Sequence, residues 1–98
     1  MINEFAYLTI KTGQATEFEA AFDKAKRIIS QMSGFISLNL YRHHDGMGRY
    51  LLHVVWRDIA SHQDRFRKSA EYEQWRALLH HFYEPFPAVE YFETAVTL

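Results

Sequence analysis

The sequence predicts an α+β fold in which four antiparallel strands form one sheet and helices cover one face of that sheet. Four segments have the length and apolar pattern of strands, and segments with helical spacing separate the first strand from the second and the third from the fourth. The strands carry large apolar residues on both sides, which an antiparallel sheet with one solvated face does not need. We therefore expect a second copy of the chain to cover the face that the helices leave free.

The first strand and the first helix are predicted in the N-terminal third of the chain. Residues 4–11 alternate with a two-residue period, and one side of this strand carries Ala6, Leu8 and Ile10. From Thr16 onward the spacing becomes helical. The apolar positions of this helix are Phe18, Ala21, Phe22, Ala25, Ile28, Ile29 and Met32. Gly34 follows, and its freedom to adopt a positive φ suits the end of a helix.

A hairpin is predicted in the middle of the chain. Residues 35–42 alternate as a half-buried strand does, and residues 49–56 form a second strand that is apolar on both sides apart from His53. Gly46 and Gly48 lie between the two segments and allow the tight reversal that a hairpin needs.

The last part of the chain predicts two helices and a final strand. Asp58 can cap a short helix over about 59–66, and Ser69 can cap a second helix that ends before Pro85. The apolar stripe of the second helix comprises Tyr72, Trp75, Leu79 and Phe82. Residues 88–94 then alternate as a strand. This order of elements is the split βαβ pattern of ferredoxin-like domains, and it fills one domain, 1–98.

Composition limits the classes of partner. The chain is 48% hydrophobic and 16% aromatic, more than one small core easily hides, which favours a homodimer. Eleven basic and twelve acidic residues give a net charge of -1, so we expect neither nucleic acid nor a membrane surface as a partner.

The cellular location follows from cysteine content and the N-terminal residues. Without cysteine the chain forms no disulfide and no thiolate metal site, which fits a reducing compartment. Glu4 and Lys11 flank a short apolar run, so we predict neither a signal peptide nor a membrane span there. We therefore expect a cytoplasmic protein.

Four stretches of the chain carry a resemblance to a known family. They are Gly34-Phe35, YLLHVVW at 50–56, FRKSAEYEQWRALL at 66–79 and PAVEYFE at 87–93. The chain thereby resembles the antibiotic biosynthesis monooxygenase superfamily of dimeric α+β barrel proteins. The resemblance implies a homodimer. Members include cofactor-free oxygenases that act on quinols or polycyclic aromatics, and haem-degrading enzymes.

Two branches of this superfamily give different expectations. The haem-degrading branch uses an asparagine, a tryptophan and a haem-ligating histidine, and the matching positions here are Ala6, Phe66 and Arg76. Without the axial imidazole the iron would lack a proximal ligand, unless His80 substituted for it. The quinol-oxidising branch agrees at Trp56 and Arg76, but its asparagine, expected four residues before the tryptophan, is replaced by Leu52.

Catalytic roles are predicted for His53 and Arg76. A histidine with an ordinary pKa near 6.5 can accept a proton from an electron-rich aromatic at neutral pH, whereas the alternative is a core histidine bonded to backbone or to Tyr41. Arg76 could hold the resulting anion, or it could be a surface arginine paired with Glu73 or Glu84.

A planar aromatic ligand would need apolar walls. Candidate substrate-binding residues are Trp56, Phe66, Tyr72 and Trp75, together with Asn39 and His62. The alternative is that the aromatic residues are simply core. No metal site is expected, because the neighbouring histidines at 43–44 and 80–81 point apart in regular structure and no H-E-x-x-H motif occurs.

The resemblance, taken with these residues, implies a cofactor-independent monooxygenase that binds a small planar aromatic or quinol between its sheet and its later helices. Two alternatives remain open. One is a non-catalytic ligand-binding or accessory homodimer, and the other is a haem-binding or haem-degrading protein.

Overall fold

The computed structural model describes all 98 residues and contains the predicted order of elements. The strands are β1 (Ile2–Thr9), β2 (Phe35–Arg42), β3 (Arg49–Trp56) and β4 (Val89–Phe92), and the helices are α1 (Ala15–Ile29) and α2 (Ala70–Leu79). The sheet order is β2-β3-β1-β4, with every neighbouring pair antiparallel. This is the ferredoxin-like split βαβ arrangement, so the predicted fold class is confirmed.

Several element boundaries differ from the sequence-based expectation. Strand β1 begins at Ile2 and ends at Thr9, because Ile10 makes only an isolated bridge to Tyr83. Helix α1 ends at Ile29, three residues before the expected limit. The segment predicted as a short helix is a π-helical turn over Ser61–Phe66, which we call the 61–66 turn.

Both predicted helix caps are present. Asp58 Oδ1 accepts hydrogen bonds from the backbone N–H of Ser61 at 2.8 Å and from its hydroxyl at 2.7 Å. Ser69 Oγ accepts the backbone N–H of Tyr72 at 3.0 Å, at the start of α2. Each cap satisfies a donor that a helix end would otherwise leave unpaired.

The helices pack on one side of the sheet, which we call the inner face. Its residues are Ile2, Glu4, Ala6 and Leu8 of β1 and Tyr50, Leu52, Val54 and Trp56 of β3, all buried. Helix α1 contributes its predicted stripe, with Phe18, Phe22, Ala25 and Ile29 buried. One hydrophobic core therefore lies between the sheet and the two helices.

The other side of the sheet carries no helix, and we call it the outer face. It comprises Asn3, Phe5, Tyr7, Asn39, Tyr41, Leu51, His53, Val55, Glu90 and Phe92. Tyr7 is 77% exposed and Tyr41 is 51% exposed. Strand β2 departs from simple alternation, because an irregularity between Phe35 and Ser37 leaves Ile36 exposed. No helix in the chain combines the length and apolar character that crossing a membrane requires.

Candidate functional site

A cavity opens between the inner face of the sheet and the later helices. The cavity itself has a volume of about 50 Å³, and the wider space around it, which includes open solvent, is about 580 Å³. Apolar side chains from β1, β3, α1 and α2 form most of its lining, including Ala6, Leu8, Phe22, Leu52, Phe66, Tyr72, Trp75 and Leu79. A largely apolar cavity with a few polar groups is the usual form of a small-molecule site.

At the polar end of this cavity, Glu4 and His62 belong to a cluster that we call the Glu4 cluster: Glu4, Trp56, His62 and Tyr91. Trp56 Nε1 donates a hydrogen bond to Glu4 Oε1 at 2.8 Å. His62 Nε2 lies 3.5 Å from the same oxygen. The Tyr91 hydroxyl is in hydrogen-bond contact with His62 Nδ1. Glu4 and His62 are each 4% exposed, so the two titratable groups meet out of bulk water.

Strand register brings this cluster together. Glu4 lies two residues before Ala6 and therefore shares its inner face. On the neighbouring strand β4, Tyr91 pairs with Glu4 and points to the same side. The 61–66 turn then places His62 against both of them.

Burial sets the protonation of the cluster. Desolvation raises the pKa of Glu4 to about 7, although the Trp56 hydrogen bond and the charge of Arg67 oppose that rise. Desolvation also lowers the pKa of His62 to about 4. Burial raises the pKa of Tyr91, so its hydroxyl remains protonated beside His62 Nδ1. When that hydroxyl donates to Nδ1, the neutral imidazole carries its proton on Nε2, on the side of Glu4.

This arrangement is suited to moving protons at neutral pH. A carboxyl group that titrates near 7 can both accept a proton and return it without a large energetic penalty. His62, which contacts Tyr91 through Nδ1, places its other ring nitrogen 3.5 Å from the carboxyl group.

The exposed residues of the cavity lining are Arg67 and Phe86, and half-buried His80 lies beside Phe86, so these residues mark the mouth of the cavity. The ring of His80 packs edge-on against Phe86, with ring centroids 5.0 Å apart, and burial lowers the pKa of its imidazole. Arg67 is exposed, and its guanidinium forms no hydrogen bond or ion pair within the chain. The entrance therefore combines aromatic surface with one unpaired cation.

Four of the predicted substrate-binding residues line the cavity: His62, Phe66, Tyr72 and Trp75. Trp56 does not line it. This tryptophan is fully buried beneath the cavity, where it bonds to Glu4 and packs against Phe35, with ring centroids 5.9 Å apart.

The prediction that His53 faces this cavity is wrong. Leu52 and Val54 point inward, so the pleat of β3 turns His53 to the outer face. There its Nε2 lies 2.8 Å from Asn3 Oδ1, and its ring stacks on Phe5 at a centroid distance of 4.4 Å. His53 is therefore hydrogen-bonded, but its partner is Asn3 rather than backbone or Tyr41, and it lies on the outer face rather than in the core.

Asn39 and Arg76 are also outside the cavity, contrary to expectation. Asn39 is the cross-strand neighbour of His53 and lies exposed on the outer face. Arg76 lies on the solvent side of α2, where Nη1 is 3.9 Å from Glu73, the surface pairing that was the alternative. Arg76 lies on a helix that lines the cavity but on its opposite side, whereas Asn39 lies on β2, which contributes no residue to the lining.

Two polar residues of the cavity lining, Glu4 and Arg67, were missed from the sequence, as was Tyr91, which contacts His62. Glu4 was detectable, because it continues the alternation of Ala6 and Leu8 and so puts a carboxyl group on a buried face. Tyr91 and Arg67 join the site only through the pairing of β4 with β1 and the course of the 61–66 turn. No three histidine, aspartate or glutamate side chains are placed to hold a metal ion together.

Comparison with known proteins gives consistent matches. The family model for antibiotic biosynthesis monooxygenase matches residues 1–78. The uncharacterized protein YczJ of Bacillus subtilis (strain 168) is 47% identical over 93 residues, which are 95% of this chain and 98% of that protein.

Solved structures match over nearly the whole chain. A Bordetella bronchiseptica protein, provisionally assigned as an antibiotic biosynthesis monooxygenase, superposes with a TM-score of 0.92 at 27% identity, covering 97% of each chain. SnoaB, a cofactor-independent oxygenase from Streptomyces nogalater, superposes with a TM-score of 0.86 at 21% identity, covering 99% of this chain and 95% of its own. The likeness to SnoaB shows a shared fold.

Proposed function

Because the chain belongs to the antibiotic biosynthesis monooxygenase family, we propose that it is a cofactor-independent monooxygenase acting on a small planar aromatic or quinol-type substrate. The observation that carries this proposal is the buried carboxyl group of Glu4 at the polar end of an aromatic-lined cavity. SnoaB, which shares the fold, is a cofactor-independent oxygenase, and this supports the same reaction class here.

The first step in this proposal is proton removal. Ionised Glu4 accepts a proton from a phenolic substrate, and the resulting anion is electron-rich enough to react with O₂ at a ring carbon. Phe66, Tyr72 and Trp75 hold the ring and exclude water from the reacting anion. His62, oriented by Tyr91, donates toward the Glu4 carboxylate and keeps it aimed into the cavity.

The second step returns the proton and releases water. Protonated Glu4 converts the peroxide anion on the ring carbon into a hydroperoxide. Loss of the remaining hydrogen from that carbon then breaks the O–O bond, which leaves a carbonyl and one water. The net reaction is phenol plus O₂ giving quinone plus water, so the substrate supplies all four electrons. Glu4 ends in the state in which it began.

We also propose that the working protein is a homodimer joined through the outer face. That face presents exposed Tyr7, Tyr41 and Phe92 beside the partly exposed Leu51 and Val55. An apolar sheet surface of this kind is typical of a protein interface, and a second copy of the same face would cover it.

Oxygen consumption with a panel of phenols and hydroquinones tests the enzymatic proposal. We expect uptake with at least one planar substrate, and a loss of about 100-fold or more in kcat/KM in Glu4→Gln, because general-base catalysis contributes at least that much. Glu17→Gln is the matched control, since Glu17 lies exposed in the first turn of α1.

Two results would count against the proposal. Uptake that survives in Glu4→Gln would remove Glu4 from the reaction. Tight binding of the panel with no oxygen uptake would favour the non-catalytic ligand-binding homodimer.

A further inference from the structure

We infer that the cavity selects aromatic acids: Arg67 at the mouth binds a carboxylate carried by a ring that enters between the apolar side chains of the lining. This inference rests on the proposed function in one respect, namely that the cavity is the substrate site. It adds the charge of the substrate, which neither the fold nor the family defines.

Arg67 is held at the cavity by the turn that precedes it. Its backbone N–H donates to the carbonyl of His62 at 3.0 Å, which closes the 61–66 turn. The residue therefore has a defined position relative to the Glu4 cluster, and its side chain contributes to the cavity lining.

The guanidinium of Arg67 differs from the neighbouring cations in having no partner. Arg65 donates to Ser61 Oγ at 3.1 Å, and Lys68 lies 3.7 Å from Asp64. Arg67, between them in sequence, is left free beside a cavity. A planar guanidinium matches the two oxygens of a carboxylate, which makes it a ready-made anion receptor.

The rest of the lining increases this preference. Apart from Glu4, the other titratable groups of the cavity are His62, His80, Tyr72 and Tyr83, and burial disfavours the cationic form of both histidines. Arg67 is therefore the cation of the site.

Calorimetric titration with two matched ligands tests the inference. The probes are 1-hydroxy-2-naphthoate and its neutral analogue 1-hydroxy-2-naphthamide, titrated under nitrogen into wild type, Arg67→Ala, Arg67→Lys and the control Lys68→Ala. We expect wild type and Lys68→Ala to bind the acid about 10-fold or more tightly than the amide, the preference that one charge-assisted hydrogen bond gives. Arg67→Ala should lose that preference and retain its affinity for the amide, and Arg67→Lys should keep part of it.

The outcomes separate this inference from the proposed function. An unchanged preference in Arg67→Ala, or failure of wild type to bind the acid more tightly than the amide, would overturn the role of Arg67. Because the titration needs no turnover, Arg67-dependent binding without oxygen uptake would refute the monooxygenase proposal and support anion selection. Oxygen uptake with neutral phenols alone, and none with aromatic acids, would support the monooxygenase proposal and refute anion selection.

Discussion

Glu4 is a carboxyl group in a place where ionisation is unfavourable but still possible. Its surroundings remove water, which raises its pKa to about 7, while the indole N–H of Trp56 stabilises the ionised form. Without that donor the acid would remain protonated at higher pH. One hydrogen bond therefore helps to keep Glu4 in the range where it can exchange protons with a substrate.

This account predicts the effect of Trp56→Phe. The variant keeps an aromatic ring but removes the donor, so the pKa of Glu4 should rise. The limb of the pH–rate profile in which the rate increases as Glu4 ionises should then move to higher pH. Activity at pH 7 should fall and recover in more alkaline buffer. The measurement is kcat/KM for oxygen uptake across pH 5.5 to 9.5.

Trp75→Phe provides the comparison for that experiment. It changes the other buried tryptophan, which lines the cavity and has no hydrogen bond to Glu4. It should alter substrate affinity without moving the pH midpoint. A Trp56→Phe profile with the wild-type midpoint would show that the indole does not tune the acid.

At the residue scale, the sequence predicted which strands border the site better than which side chains enter it. The apolar surroundings of His53 made it the evident base, yet a two-residue period turns it outward while Leu52 and Val54 point inward. The same period places Glu4 inward. For β3, apolar on both sides, the sequence alone does not say which side receives the helices.

At the element scale, the cavity depends on the close approach of the 61–66 turn to the start of β2. Gly34 has φ +88°, and a Cβ at this position would overlap the Ser61 side chain. Its carbonyl also accepts the backbone N–H of Arg57 at 2.7 Å. Glycine at this position therefore allows the turn that carries His62 to reach the sheet.

Gly34→Ala should destabilise the protein far more than Gly13→Ala. Both glycines have positive φ, but a Cβ at Gly13 would meet nothing within 4 Å. We expect a cost of about 1 kcal/mol at Gly13 from backbone strain alone, and about 3 kcal/mol or more at Gly34 where overlap is added. Urea denaturation of both variants checks this, and equal losses would show that the contact with Ser61 is not limiting.

Regular elements were predictable because local patterns determine them. The bounds of β2 and β3 and the caps at Asp58 and Ser69 follow from alternation and side-chain chemistry. The π-helical form of the 61–66 turn and the irregularity near Ile36 were not predictable. They arise from how the segments pack against each other, and no local preference encodes that.

At the scale of the whole molecule, the proposed dimer can be tested by placing a charge on the outer face. Tyr7→Lys puts an ammonium group at the most exposed aromatic of that face, and burying it against a second copy would be strongly unfavourable. We expect wild type to sediment as a dimer at micromolar concentration and Tyr7→Lys to sediment as a monomer. Ile59→Lys, at an exposed apolar residue away from the sheet, should remain dimeric. A monomeric wild type would contradict the interface.

The Glu4 cluster also determines how global stability depends on pH. Glu4 has a raised pKa, so its contribution is present below about 4.5 and is lost as pH rises to about 7. His62 has a lowered pKa, so its contribution is present above 6.5 and is lost as pH falls to about 4. Between these limits the folded pair holds its single proton on Glu4 and the unfolded pair holds it on histidine. The number of bound protons is then the same in both states, and the two effects cancel.

Single substitutions should therefore reveal opposite slopes. In Glu4→Gln the histidine effect remains, so the free energy of unfolding should decrease as pH is lowered from 6.5 to 4. In His62→Gln the carboxyl effect remains, so it should decrease as pH is raised from 4.5 to 7. A carboxyl pKa of about 7 instead of 4.5 corresponds to about 3 kcal/mol across that interval. Denaturant titrations from pH 4 to 7.5 measure all three proteins. Parallel curves of unfolding free energy against pH for wild type and both variants would mean that folding does not shift the pKa values of Glu4 and His62 in opposite directions.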